Sequence, residues 1–305
     1  MQTSTIQLWQ DREEVQVQTY ILKQSKEFQV NFKRPTVIVC PGGAYLGTSD
    51  REAEPVALRF NSKGYHAFVL RYTTFYRDGF NFAQGLSPEG NERAKFPQPL
   101  LDLAATIALV RKNAEEWNVD PDRIIVTGFS AGGHLAASLG VHWHESFLAE
   151  QLSMENEQFK PNALILGYPV LDYTLMKEET EKEIDEMKLG LWNISNQAVF
   201  GKSDPTWEEL EERSTVKHVT SSTPPTFLWH TADDDLVYAQ NSLRFAIALA
   251  KEKIPYELHV FENGVHGLSL CDETTAGHET HINPDCAVWF DLALNWLKKH
   301  VKYKG

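Results

Sequence analysis

Cysteine is scarce in this chain: three in 305 residues, at Cys40, Cys271 and Cys286. No two stand close enough to form a zinc-binding pair, and an odd trio makes no disulfide framework. Basic residues are outnumbered, 29 Lys and Arg against 42 Asp and Glu, for a formal net charge of −13. That balance argues against nucleic acid or an anionic membrane surface as a partner. No apolar run reaches membrane length, and the opening stretch MQTSTIQLWQDREEVQVQTY carries no signal-type apolar segment. A soluble cytoplasmic protein is expected. Internal repeats, coiled-coil heptads and long low-complexity linkers are also missing, so a single domain spanning 1–305 is the simplest partition. Oligomeric state leaves no mark, and a homo-oligomer stays open.

What the chain has is core material: 42% hydrophobic residues beside 23% charged ones, enough for one large domain. Short apolar runs recur at TVIVC (36–40), HAFVLRY (66–72), RIIVTG (123–128), ALILGYP (163–169), TFLWH (226–230) and YELHVF (256–261). Without clean alternation, they predict strands covered on both faces. VQVQTYIL (15–22) alternates in part and predicts an early edge strand. Helical patterns fall between them at 51–64, 100–117, 131–143, 241–254 and 285–300. Alternation of strand and helix predicts an α/β fold, a mostly parallel sheet with helices on both faces. Two stretches break the rhythm. Residues 75–97 are aromatic and glycine-rich without a period. Residues 172–221 read as a charged helical insertion, expected to form a cap over a pocket.

VTGFSAGGHLA (126–136) contains Gly128-x-Ser130-x-Gly132 where a strand should pass into a helix. A serine on so sharp a bend needs small neighbours, and the following helix offers unpaired N–H groups to developing negative charge. A neutral serine needs a base. GVHG (264–267), just past the last strand candidate, supplies His266. The histidine needs an orienting carboxylate, and HTADDDLVY (230–238) offers Asp233, Asp234 and Asp235, among which the residues alone do not choose. The chain order Ser, Asp, His suits a hydrolase of this architecture. CPGGAYLG (40–47) follows the first parallel strand, where the backbone N–H groups of Gly43 and Ala44, with that of Ala131, are candidates to surround an oxyanion.

PGGAY, PDRIIVTGFSAGGHLAA (121–137), HTADDDLVYAQNSLRFA (230–246) and YELHVFENGVHG (256–267) together resemble the α/β-hydrolase superfamily. The closer resemblance is to its acetyl-esterase and xylan-esterase-like branch, near the hormone-sensitive-lipase type of esterase. It spans about residues 30–300 and implies an α/β-hydrolase fold. It also implies Ser130 as nucleophile, His266 as base, Asp234 as the acid, and Gly43, Ala44 and Ala131 as oxyanion donors. This chain departs from the family pattern at Pro41, Ala44, Thr231 and Tyr238.

The resemblance implies a carboxylic ester hydrolase with short acyl groups as substrates, acetyl above all, on a sugar, a xylo-oligosaccharide or another small alcohol, so that the partner is a small acylated sugar or other short-chain ester. Tyr45, Tyr72, Phe75, Tyr76 and Trp192 are candidates to line a sugar-binding mouth. The acyl-serine reaction calls for no cofactor and no metal, and His134, His142 and His144, lacking a carboxylate or cysteine frame, are assigned to the helix surface. Feruloyl or lipid ester hydrolysis and peptide hydrolysis are the neighbouring alternatives. A noncatalytic carbohydrate-binding protein is the alternative of a different class.

Overall fold

The structure, a computed structural model, describes residues 1–25, 27, 32–76 and 90–302. Residues 77–89 of the irregular 75–97 stretch therefore lie outside the described residues. The elements run in chain order as β1 (Gln2–Trp9), β2 (Arg12–Ile21), β3 (Arg34–Cys40), α1 (Glu54–Asn61), β4 (His66–Arg71), α2 (Gln98–Lys112), β5 (Val119–Phe129), α3 (Ala131–His142) and α4 (Ser146–Leu152). They continue as β6 (Ala163–Gly167), α5 (Tyr173–Thr180), α6 (Glu186–Phe200), α7 (Trp207–Arg213), β7 (Thr226–Thr231), α8 (Gln240–Lys251), β8 (Tyr256–Phe261), α9 (Pro284–Ala287) and α10 (Trp289–His300).

The strands form one sheet in the order β1-β2-β4-β3-β5-β6-β7-β8. β1 pairs with β2 and β2 with β4 antiparallel; every other neighbour is parallel. Successive side chains enter opposite layers, as a strand's two-residue period requires. Ile38 and Cys40 of β3, with Ile124 and Val126 of β5, join one buried cluster alongside Leu103, Ile107 and Leu135. Val37, Val39, Ile125 and Phe129 join another, alongside Phe60 and Trp289. Burial on both faces is what the unalternating apolar runs of β3 to β7 signalled; the run expected to be covered at 256–261 is instead half-exposed, because β8 is an edge strand with Tyr256 and Val260 open to solvent.

β1 was not expected. Its sequence, QTSTIQLW, is polar and largely exposed, so neither hydrophobicity nor burial marks it. Its pairing with β2, from Gln2 opposite Ile21 to Trp9 opposite Arg12, makes it a strand. Buried Asp102 on α2 anchors this hairpin, accepting from Trp9 Nε1 at 2.7 Å and pairing with Arg12 at 3.2 Å. α4 was likewise not expected. The 172–221 segment holds three helices, α5, α6 and α7. No helix among the described residues is long and apolar enough to cross a membrane.

Candidate active site

β5 runs straight into α3, and Ser130 is the single residue between them, at φ 52° and ψ −120°. A positive φ at a non-glycine residue costs on the order of 1–3 kcal/mol and persists only where the surroundings over-determine it. Here they do. Ser130 N–H donates to Gly167 O at 3.0 Å, and Ser130 O accepts from His134 N at 3.0 Å and Val170 N at 3.3 Å. The small neighbours are sterically obligatory. A Cβ on Gly128 would run into the Gly132 carbonyl, and a Cβ on Gly132 into the carbonyls of Cys40 and Pro41. The two glycines let helix, elbow and β3 loop close on one another.

His266 lies on the loop after β8, and its Nε2 is 2.9 Å from Ser130 Oγ. Its Nδ1 is 2.7 Å from Asp234 Oδ2. A carboxylate oxygen only accepts, so Nδ1 carries the proton and the Nε2 lone pair faces the serine hydroxyl. Among the three consecutive acids, the structure thus puts Asp234 on the histidine. Asp233 instead accepts from Gly264 N at 2.6 Å, and Asp235 pairs with Lys188 at 2.8 Å. Asp234 is aimed by its other oxygen, which accepts from Leu236 N at 3.0 Å and Val237 N at 2.9 Å. His230, buried beneath, donates from Nε2 to Val237 O at 2.7 Å and lies 3.4 Å from Asp234 Oδ2.

The electrostatics follow from this packing. Burial opposes the charge on Asp234, but the charge of His266 and hydrogen bonds from His230 and His266 outweigh it and hold the carboxyl well below its usual range. Burial likewise pushes the His266 imidazole down. The Asp234 charge and hydrogen bond, with smaller contributions from Glu52 and Asp235, overcome that and raise it.

The β3 loop completes the arrangement. Gly43 has φ 129° and Ala44 φ 55°, and a Cβ on Gly43 would strike Gly47 O. Among the described residues, neither the Gly43 nor the Ala44 N–H has a backbone acceptor. Ala131, the first residue of α3, has none within its helix. All three residues line cavities that also contain Ser130. Backbone N–H groups beside a serine hydroxyl are the kind of donor that binds a carbonyl oxygen as it becomes anionic.

Two cavities meet at Ser130. One is walled by Val170, Tyr173, Met176, Leu191, Trp192 and Val237. The other is lined by Gly43, Arg51, Glu52, His266 and Gly267. Trp192, expected at a substrate mouth, is in the first.

The other four aromatic candidates line neither cavity, and three require correction. Tyr45, Tyr72 and Phe75 are buried in the core at 4%, 2% and 4% exposure, Tyr72 with its hydroxyl on Pro41 O at 2.7 Å. Tyr76 is partly buried and packs on the same core. His134 also departs from expectation: it is not on the helix surface but 1% exposed. Its Nε2 donates to Arg213 O at 2.9 Å, so its Nδ1 accepts from the Tyr45 hydroxyl at 2.7 Å. Burial pushes its pKa down to about 4. Tyr45 and His134 are thus a satisfied polar pair beneath the β3 loop, a role that residue type alone does not distinguish from sugar binding.

The BD-FAE family profile matches residues 21–249. Endo-1,4-beta-xylanase B of Butyrivibrio fibrisolvens is 32% identical over 246 residues, covering 79% of this chain and 33% of that protein. The chain spans between a third and a half of the length of four of the curated relatives it matches, the xylanase among them. Among solved structures, an acetyl ester-xyloside bifunctional hydrolase from Caldicellulosiruptor lactoaceticus is 34% identical with a TM-score of 0.72, covering 97% of this chain and 96% of that one. The carboxylesterase Cest-2923 from Lactobacillus plantarum WCFS1 is 30% identical with a TM-score of 0.79, covering 98% of each chain.

Proposed function

The chain belongs to the BD-FAE family and has the α/β-hydrolase fold, and from that premise we propose that it is a serine carboxylesterase that removes short acyl groups, acetyl in particular, from acetylated sugars or xylo-oligosaccharides. One observation carries the reading: a single imidazole bridges Ser130 Oγ at 2.9 Å and Asp234 Oδ2 at 2.7 Å.

In the proposed reaction Ser130 Oγ attacks the ester carbonyl as its proton passes to His266 Nε2. Asp234 stabilises the imidazolium without taking the proton. The N–H groups of Gly43, Ala44 and Ala131 receive the oxyanion. The imidazolium then protonates the leaving alcohol oxygen, an acyl-serine remains, and water repeats the attack through the same base. The 172–221 segment acts as a cap, because Tyr173, Met176, Leu191 and Trp192 wall the pocket beside Ser130. The acetyl preference draws support from the acetyl ester-xyloside hydrolase, which is similar over nearly its whole chain.

An esterase for a larger acyl group is the second reading. The apolar wall that Val170, Met176, Leu191, Trp192 and Val237 present beside Ser130 favours it, since an apolar surface gains most from covering a longer or aromatic acyl group. A panel of acetylated xylo-oligosaccharides with acetyl, butyryl, octanoyl and feruloyl esters separates the two. Release of acetate from the sugars, fluorophosphonate labelling of the wild type and loss of both in Ser130→Ala are expected. Turnover of only the longer or aromatic esters would select the second reading. No labelling and no ester turnover at all would leave a noncatalytic protein.

A further inference from the structure

Glu52 lies in the short turn before α1 and is 4% exposed. No Lys or Arg pairs with it among the described residues, and both its oxygens accept hydrogen bonds. Oε2 takes the N–H of Gly42 at 2.7 Å. Oε1 takes the hydroxyl of Tyr168 at 2.6 Å. Burying a carboxylate without a cation is costly, and natural chains tend to keep such violations at working sites.

The two donors lead to the two halves of the site. Gly42 immediately precedes Gly43 and Ala44, and a Cβ on it would be wedged between Glu52 Oε2 at 2.8 Å and Ser130 Cβ at 2.9 Å. Tyr168 packs edge-on against the His266 ring, centroids 5.0 Å apart, while its hydroxyl accepts from Ser269 N at 2.8 Å on the loop after His266. The neighbouring Arg51 fastens the same loop through Gly267 O at 2.8 Å.

We propose that Glu52 is a positioning residue of the esterase site, fixing the loop that presents the Gly43 and Ala44 N–H groups and, through Tyr168, the face against which His266 rests. The proposal rests on the esterase reading. The ionisable groups acting on His266 are Asp234, Glu52 and Asp235, with the Tyr168 ring against its face. Glu52 is among the charges that raise the imidazole.

Two variants separate position from charge. Glu52→Gln keeps the length and an acceptor for Gly42 N–H and removes the charge. Glu52→Asp keeps the charge and withdraws it by one methylene, so it cannot reach both donors. Glu52→Gln should move the acidic limb of kcat/KM to lower pH. Glu52→Asp should leave that limb near its wild-type position and lower kcat about 10- to 100-fold, as a displacement of about an ångström at an active site does, with KM changed less.

The charge effect is also read without turnover, by following the His266 ring-proton resonance through a pH titration in Ser130→Ala and Ser130→Ala/Glu52→Gln. A lower titration midpoint in the second supports the coupling of Glu52 to His266, and it is read independently of the substrate panel, so failure of the esterase reading and failure of this inference are told apart. Wild-type kcat in folded Glu52→Asp, together with an unmoved His266 titration, would overturn it. Should Glu52→Gln not fold, the kcat of Glu52→Asp alone decides.

Discussion

Replacing Asp234 by Asn tests the assignment of the acid among three adjacent carboxylates. Asp234 Oδ1 accepts from two backbone N–H groups, at 3.0 and 2.9 Å, so the amide oxygen of an Asn must take that side. Its NH₂ group then faces His266 Nδ1. The imidazole is driven to the tautomer with its proton on Nε2, pointing at Ser130 Oγ, and no lone pair remains to act as base. Flipping the amide to rescue the tautomer leaves two backbone donors without acceptors, about 1–3 kcal/mol each. Loss of a charge-assisted hydrogen bond to the imidazolium adds about 1.5–3 kcal/mol. These figures bracket a fall in kcat of about 10⁴-fold, roughly 5.5 kcal/mol. Steady-state hydrolysis of 4-nitrophenyl acetate at neutral pH measures it, with thermal unfolding verifying that the variant folds. A folded Asp234→Asn retaining more than about a tenth of wild-type kcat would refute the assignment. The parallel changes Asp233→Asn and Asp235→Asn should lower kcat far less, since those acids engage Gly264 N and Lys188.

Two further predictions follow from groups already described. In the proposed reaction His266 must be neutral to accept the serine proton, and its pKa is raised from the ordinary 6.5 by Asp234, against the opposing effect of burial. Activity therefore falls as pH drops through that raised value, and kcat/KM should show an acidic inflection above 6.5; an inflection below 6 would contradict the electrostatics. Tyr45→Phe should lower stability by about 1–3 kcal/mol in urea unfolding, because His134 Nδ1 loses its donor in the core, while leaving KM for acetylated xylo-oligosaccharides within about twofold. A raised KM at unchanged stability would return Tyr45 to the sugar-binding role.

The elbow was legible because its constraints are local. A strand, a serine and a helix within a dozen residues leave no room for a side chain at 128, so that glycine records the bend directly; Gly132 records instead the close approach of the β3 loop. The strands were legible for a similar reason: burial on both faces demands continuous apolar runs such as TVIVC and ALILG. β1 escaped because an antiparallel edge is held by its neighbour's hydrogen bonds, and QTSTIQLW needs no apolar face to take that place.

The carboxylates resisted reading for a different reason. Asp233, Asp234 and Asp235 have one chemistry and three destinations, and the turn between Thr231 and Val237 separates them by direction alone. Glu52 left still less trace. An acid among charged residues ahead of a helix usually faces solvent, and only the fold reveals that this one is sealed behind Gly42 and Tyr168. Residue type marks which groups can act as nucleophile or base. Which acid meets His266, and which accepts from Gly42, depends on contacts across 32 and 10 residues of chain, with partners that are an imidazole in one case and a bare peptide N–H in the other. A peptide N–H has no sequence signature, so supporting residues of this kind emerge only once the backbone is in place.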